Sequence, residues 1–135
     1  MTNTIRLKIP HQPPYHGVAL LVVGGLAARL DLSYEKLEDL QLALENVLEN
    51  GEYVSEAQVT VELDVLDDSL SLVVGPLDGA AVRTALEDDR DDRISLGRLL
   101  DTLVEGVTIE SRDDGDWLRL DKRVSALRTQ ESSNA

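Results

Sequence analysis

The sequence predicts an α+β fold, a two-layer α/β sandwich in which a mostly antiparallel sheet carries its helices on one face. Three observations lead there. Residues 33–51 and 95–105 repeat leucine at helical spacing, several short stretches alternate apolar with polar residues at the strand period, and those stretches are joined in pairs by short turns. Strands joined by tight turns pair antiparallel, and helices with one apolar stripe each must share a sheet face.

Residues 4–9, TIRLKI, alternate Ile5, Leu7 and Ile9 with polar neighbours and predict a half-buried strand. Pro13 and Pro14 cannot donate to a ladder, and Pro14 opens a helix that runs through the apolar stretch 18–30. Gly24 and Gly25 inside that helix cost about 1 kcal/mol each relative to alanine, so another backbone is expected to pack closely there, within the fold or at a subunit contact. The helix at 33–51 places Leu37, Leu40, Leu44, Val47 and Leu48 inward, with Ser33 as cap, Glu35 at the positive end of the dipole and Gly51 as stop. Its last turn gathers Glu45, Asn46, Glu49 and Asn50, polar side chains at i, i+4 spacing.

Val59, Val61, Leu63 and Val65, then Leu70, Leu72 and Val74 across a turn at Asp67–Asp68, predict a hairpin with one buried face, ended by Gly75–Pro76. Residues 80–86 allow a helical turn or two. A second amphipathic helix over 95–105 buries Leu96, Leu99, Leu100, Leu103 and Val104 and stops at Gly106. Val107, Ile109 and Ser111, a turn at 113–115, and Trp117, Leu118 and Leu120 make a second hairpin. One domain is expected over residues 1–124, and residues 125–135, small, polar and aperiodic, read as a flexible tail.

Composition narrows the function classes. With 3% aromatic residues and no Phe, the core must be built from Leu, Val and Ala. A formal charge of −13 repels a polyanion, so nucleic acid is excluded as a direct partner and a basic protein surface is favoured. The absence of cysteine removes disulfide and thiol chemistry. No leader pattern is visible, and the apolar run 18–28 is about half of the roughly 20 residues a membrane span needs, so a cytoplasmic, non-membrane protein is expected. Among single residues, His11 and His16 read as ordinary loop and helix-start histidines for want of a third ligand nearby in sequence. Trp117 reads as a core or hairpin residue, or as an exposed interface anchor. Glu87 to Asp92 reads as a solvated acidic loop or a contact for a basic partner.

The run KIPHQPPY from Lys8, the apolar helix after it, LSYEKLEDLQLALENVLEN, a strand hairpin and LGRLLDTLVEGVTIESRDDGDWLRLDKRV together resemble the anti-sigma-factor serine kinases, a branch of the histidine-kinase-like (GHKL, or Bergerat-fold) ATPases. The resemblance in order and spacing runs from Ile5 to Val124. It implies a nucleotide site built from three motifs, and the chain departs from each.

Where the family has Glu-x-x-x-Asn, a base and a Mg²⁺ ligand on one helix face, Asn50 falls on the asparagine. Asn46 stands four residues before it, and Glu45 lies about 100° away around the helix axis. Where the family has Asp-x-Gly-x-Gly to grip adenine, Pro76 is near the aspartate position and Asp78–Gly79 offer a substitute two residues on. Where the family has a glycine-rich phosphate turn, Ile94-Ser95-Leu96-Gly97 supplies one glycine, Gly97. The lid position carries Glu87, Asp88, Asp89, Asp91 and Asp92, five carboxylates that would repel a triphosphate.

Taken with these departures, the resemblance implies a regulatory, partner-switching module of the stress-response type with a degenerate ATP site. Its partners would be a sigma factor or an anti-anti-sigma protein, and a homodimer built on the first strand and helix is implied. No resident cofactor is expected; ATP with Mg²⁺ enters only if Asn50, as metal ligand, with Asp78, Gly79 and Gly97 still holds it. The alternatives are an active ATP-dependent serine/threonine kinase and anti-sigma factor, in which Glu45 or Asn46 occupies the base position, and a non-catalytic subunit that pairs with an intact kinase homologue.

Overall fold

The computed structural model describes residues 3–49, 53–54, 56–67, 69–87 and 95–123. Among them the order is β1 (Asn3–Pro10), α1 (Pro13–Arg29), α2 (Tyr34–Glu49), β2 (Gln58–Val65), β3 (Ser69–Leu77), α3 (Gly79–Glu87), α4 (Leu96–Leu103), β4 (Gly106–Arg112) and β5 (Gly115–Arg123). The strands form one sheet in the order β1-β2-β3-β5-β4, antiparallel throughout, with the helices on one face. The α+β sandwich expected from the periodicities is the observed architecture. The expected stop at Gly51, the Asp88–Ile94 stretch and the tail from Val124 lie outside the described residues, as does Asn50.

Alternation along each strand selects the helix side. Val59, Val61 and Leu63 of β2, Leu70, Leu72 and Val74 of β3, and Leu118 and Leu120 of β5 are fully or almost fully buried there. They meet Ala19 and Val23 of α1, Leu40, Leu44, Val47 and Leu48 of α2, and Leu100 and Leu103 of α4 in one continuous core. Ser33 caps α2 as its sequence position suggests: its hydroxyl accepts from the Lys36 N–H at 3.2 Å, and its carbonyl accepts from Leu37 N–H. Ser95 does the same for α4, accepting from Arg98 N–H at 3.2 Å. At the far end of α4, the buried Lys122 ammonium donates to the Leu103 carbonyl and to Asp39, a cation at the negative end of the helix.

Several expectations are corrected. Helix α1 opens at Pro13, one residue early, because its missing N–H is unneeded at the first helical position. Among the described residues no backbone crosses Gly24–Gly25: a Cβ on Gly24 would meet the Gln41 amide, which donates to the Leu20 carbonyl, and one on Gly25 would face open space. Gly75–Pro76 does not end β3, which continues through a cis peptide bond and a register shift to Leu77, where the chain pairs with Val54. Residues 79–87 form a helix of nine residues rather than a turn or two.

The β2–β3 hairpin is buried on both faces, not one. On the side without helices Glu62 and Trp117 are 6% and 2% exposed, and Ser71 and Val73 are fully buried. The lid over them is made of arginine. Trp117 lies against the Cα of Gly75, where any Cβ would overlap the indole. Arg112 passes 4.2 Å above the ring and reaches Glu62 through two hydrogen bonds of 3.0 and 3.1 Å. Arg6 binds the same carboxylate at 2.6 Å, while Glu110 joins Arg112 to Arg119, which continues to Asp121. Trp117 is therefore a hairpin residue whose Nε1 donates to Asp114, not an exposed anchor.

Candidate functional site

The α2 C-terminal turn, the end of β3 and the start of α4 carry the residues that the motifs singled out. They approach one another through local pairing. Tyr53, just beyond α2, accepts from the Asp78 N–H at 2.7 Å, so the Asp78–Gly79 corner sits beside the exit of α2. Helix α2 packs on α4, which brings Gly97 to the same side of the sheet.

Each of these side chains already has an internal task. The Asn46 amide donates to the Leu42 carbonyl at 2.8 Å, four residues back in its own helix. Asp78 is the N-cap of α3: its Oδ1 accepts from the N–H groups of Ala80 and Ala81 at 3.1 and 3.2 Å, and its carbonyl accepts from Val82. Gly79 is a glycine because a Cβ would collide with the Asp116 carboxylate, itself paired with Arg83 at 3.3 Å. Gly97 is a glycine because a Cβ would run into the Leu86 carbonyl, where the end of α3 crosses the first turn of α4. Ser95 caps that turn, so the Arg98 N–H at the start of α4 already has an internal acceptor.

Glu45 differs from the rest. Its carboxyl hydrogen-bonds to Glu49 one turn on, and that bond, burial and the Glu49 charge all push its pKa up from the ordinary carboxylate value. A carboxylate raised in this way is a stronger base than a free one, a property a general base uses.

Two side-chain clusters escaped the linear reading. Glu62 and Arg112 are separated by fifty residues and by two intervening strands, so only the sheet order brings them together. His11 and His16 lie with ring centroids 5.1 Å apart, and the further charged group near them, Glu49, comes from α2 rather than from their own segment. The proline-bounded spacing of the two histidines was the available signal, and it pointed only to a shared turn.

No family model matches the chain. Among characterised proteins it is similar to serine-protein kinase RsbW of Bacillus pumilus, 31% identical over 85 residues that cover 58% of this chain and 52% of the relative. It is likewise similar to the serine-protein kinases RsbW of Bacillus velezensis, 33% identical over 75 residues (52% and 47%), and Listeria innocua, 32% over 81 residues (55% and 50%). The chain spans about half the length of the relatives it matches. These similarities agree with the resemblance to the anti-sigma-factor kinase branch of the histidine-kinase-like ATPases.

Proposed function

We propose that the chain is an anti-sigma-factor-like regulatory module that works by reversible protein–protein association, with a nucleotide site reduced to structural roles. The supporting observation is that Asn46, Asp78, Gly79, Ser95 and Gly97, the groups at or beside the motif positions, are each engaged in capping, helix bonding or close packing. A fold can outlast its chemistry because apolar periodicity sets the core while a few polar groups set the site.

The similarity to the RsbW kinases supports a sigma factor or an anti-anti-sigma protein as partner, in the cytoplasm. A charge of −13 favours capture of a basic face, and that capture weakens as salt rises. For a homodimer, the support is α1, which exposes Tyr15, Val18 and Leu21, the last at 76%, on the flank beside edge strand β1. Light scattering on the purified chain tests it: a monomer at micromolar concentration removes the homodimer from the proposal.

Titration calorimetry with ATP and Mg²⁺ tests the loss of the nucleotide site. The expected result is no saturable heat, together with salt-sensitive binding to a sigma factor. The raised pKa of Glu45 favours a second reading, an active serine kinase whose base has moved around the helix. Saturable ATP binding with phosphate transfer to a serine, abolished by Glu45→Gln, establishes that reading and overturns the first.

A further inference from the structure

The first inward position of α1 is filled by His16, 7% exposed, in the stripe continued by Ala19, Val23 and Ala27. Neither of its ring nitrogens has a hydrogen-bond partner among the described residues. A leucine would fill that slot without leaving buried polar atoms unpaired, which ordinarily cost about 1–3 kcal/mol. The groups facing the ring are His11 from the segment before α1 and Glu49 from the last turn of α2, with Glu45 hydrogen-bonded to Glu49 behind it. Among the described residues no three His, Asp or Glu side chains form a metal-binding group.

The hydrogen bonds define what a proton would do. His11 Nε2 lies 2.9 Å from the Leu48 carbonyl, and because a carbonyl only accepts, that nitrogen carries the hydrogen. The carbonyl at the end of α2 is thus occupied. A protonated His16 has two N–H donors to satisfy, and the carboxylate that attracts its charge is the exposed Glu49. With His11 also charged, two cations would lie 5.1 Å apart. The imidazolium is accommodated only by leaving the slot toward Glu49 and water, and its backbone belongs to the first turns of α1.

We infer that the His11–His16 pair is a proton-operated latch: neutral His16 is a plug that holds the start of α1 against the end of α2, and its protonation releases those turns. The outer side of the same turns carries Tyr15 and Val18, so release also shifts an exposed apolar surface. The inference stands whether or not the chain binds a sigma factor or a nucleotide.

Burial first, and the neighbouring His11 second, lower the pKa of His16, against a smaller opposing pull from Glu49. A lowered histidine costs nothing while the unfolded state is also neutral, above about pH 6.5, and stability falls as the pH drops through that value toward the folded pKa.

The test is an NMR titration of the imidazole protons and backbone amides of the full chain from about pH 7.5 to about pH 5, bracketing the free imidazole value near 6.5. The expected result is a His16 midpoint below the free value, with amides at 15–19 and 45–49 shifting at that same midpoint. A His16 midpoint at or above the free value, or amides at 15–19 indifferent to it, overturns the latch. His16→Phe should lose the fall in melting temperature across this range. Should that variant not fold, His11→Asn, which removes the neighbouring charge, should raise the His16 midpoint; an unchanged midpoint overturns the pairing.

Discussion

On the helix side of the sheet, Leu63, Leu72 and Leu120 stand in register on neighbouring strands and are fully buried in a single apolar core. On the other side the corresponding row is Glu62, Val73 and Arg119, and among the described residues no helix covers it. Both rows lose most of their contact with water. The first does so by apolar burial, which scales with the area removed from water and involves no titrating group. The second does so through arginine stems laid across an indole, with their charges closed on Glu62 and Glu110. One sheet therefore has a face that tolerates any similar apolar volume and a face that depends on particular partners at particular ionisation states.

The largest effect should come from the apolar face. Leu72→Ala removes a fully buried side chain from the middle of the core, and destabilisation of about 2–5 kcal/mol is expected, equal at pH 7 and pH 4, measured by urea unfolding. If the loss changes with pH, the two faces are coupled and the contrast between them fails.

Glu62→Gln tests the other face. The Arg112 and Arg6 guanidiniums hold the Glu62 carboxyl below its ordinary value despite burial. A depressed carboxylate contributes stability that is present above the unfolded pKa and is lost as the pH falls through the lower folded one. Because Arg6 is two-thirds exposed and can be rehydrated, the expected cost at pH 7 is about 1–2 kcal/mol, less than for a fully buried pair. That cost should shrink as the pH falls below about 4, the range where free carboxylates protonate. A cost that stays constant with pH would mean that the carboxylate charge is not what Arg112 holds.

These two faces were not equally legible in the sequence. Every strand was visible from its helix-side residues, because alternation such as Val59-Val61-Leu63 is a local signal that survives without knowing the neighbours. The arginine layer was not, since Glu62 and Arg112 become neighbours only when β3 and β5 are interposed and when Gly75 lets Trp117 lie flat beneath the guanidinium. Gly75 in isolation read as a strand end. The motif positions fell between these cases: Asp78–Gly79 and Gly97 were legible as places where the resemblance set a motif. Their engagement with Ala80, Asp116, Arg98 and Leu86 is a matter of tertiary packing.

The smallest expected effects lie at those motif positions, and they sharpen the contrast by asking whether a third region is structural too. Asp78→Ala removes the acceptor for two N–H groups of α3 and should cost about 1 kcal/mol, while Asp78→Ser, which keeps a capping oxygen, should cost a few tenths. Ser95→Ala should likewise cost about 1 kcal/mol through α4. An adenine-gripping carboxylate would behave differently: serine would fail to replace it, and any nucleotide binding would vanish in both Asp78 variants while stability tracked only the cap. Thermal melts of the two Asp78 variants with and without ATP and Mg²⁺ separate the cases, because a ligand that binds only the folded chain raises the melting temperature of whichever form retains the site.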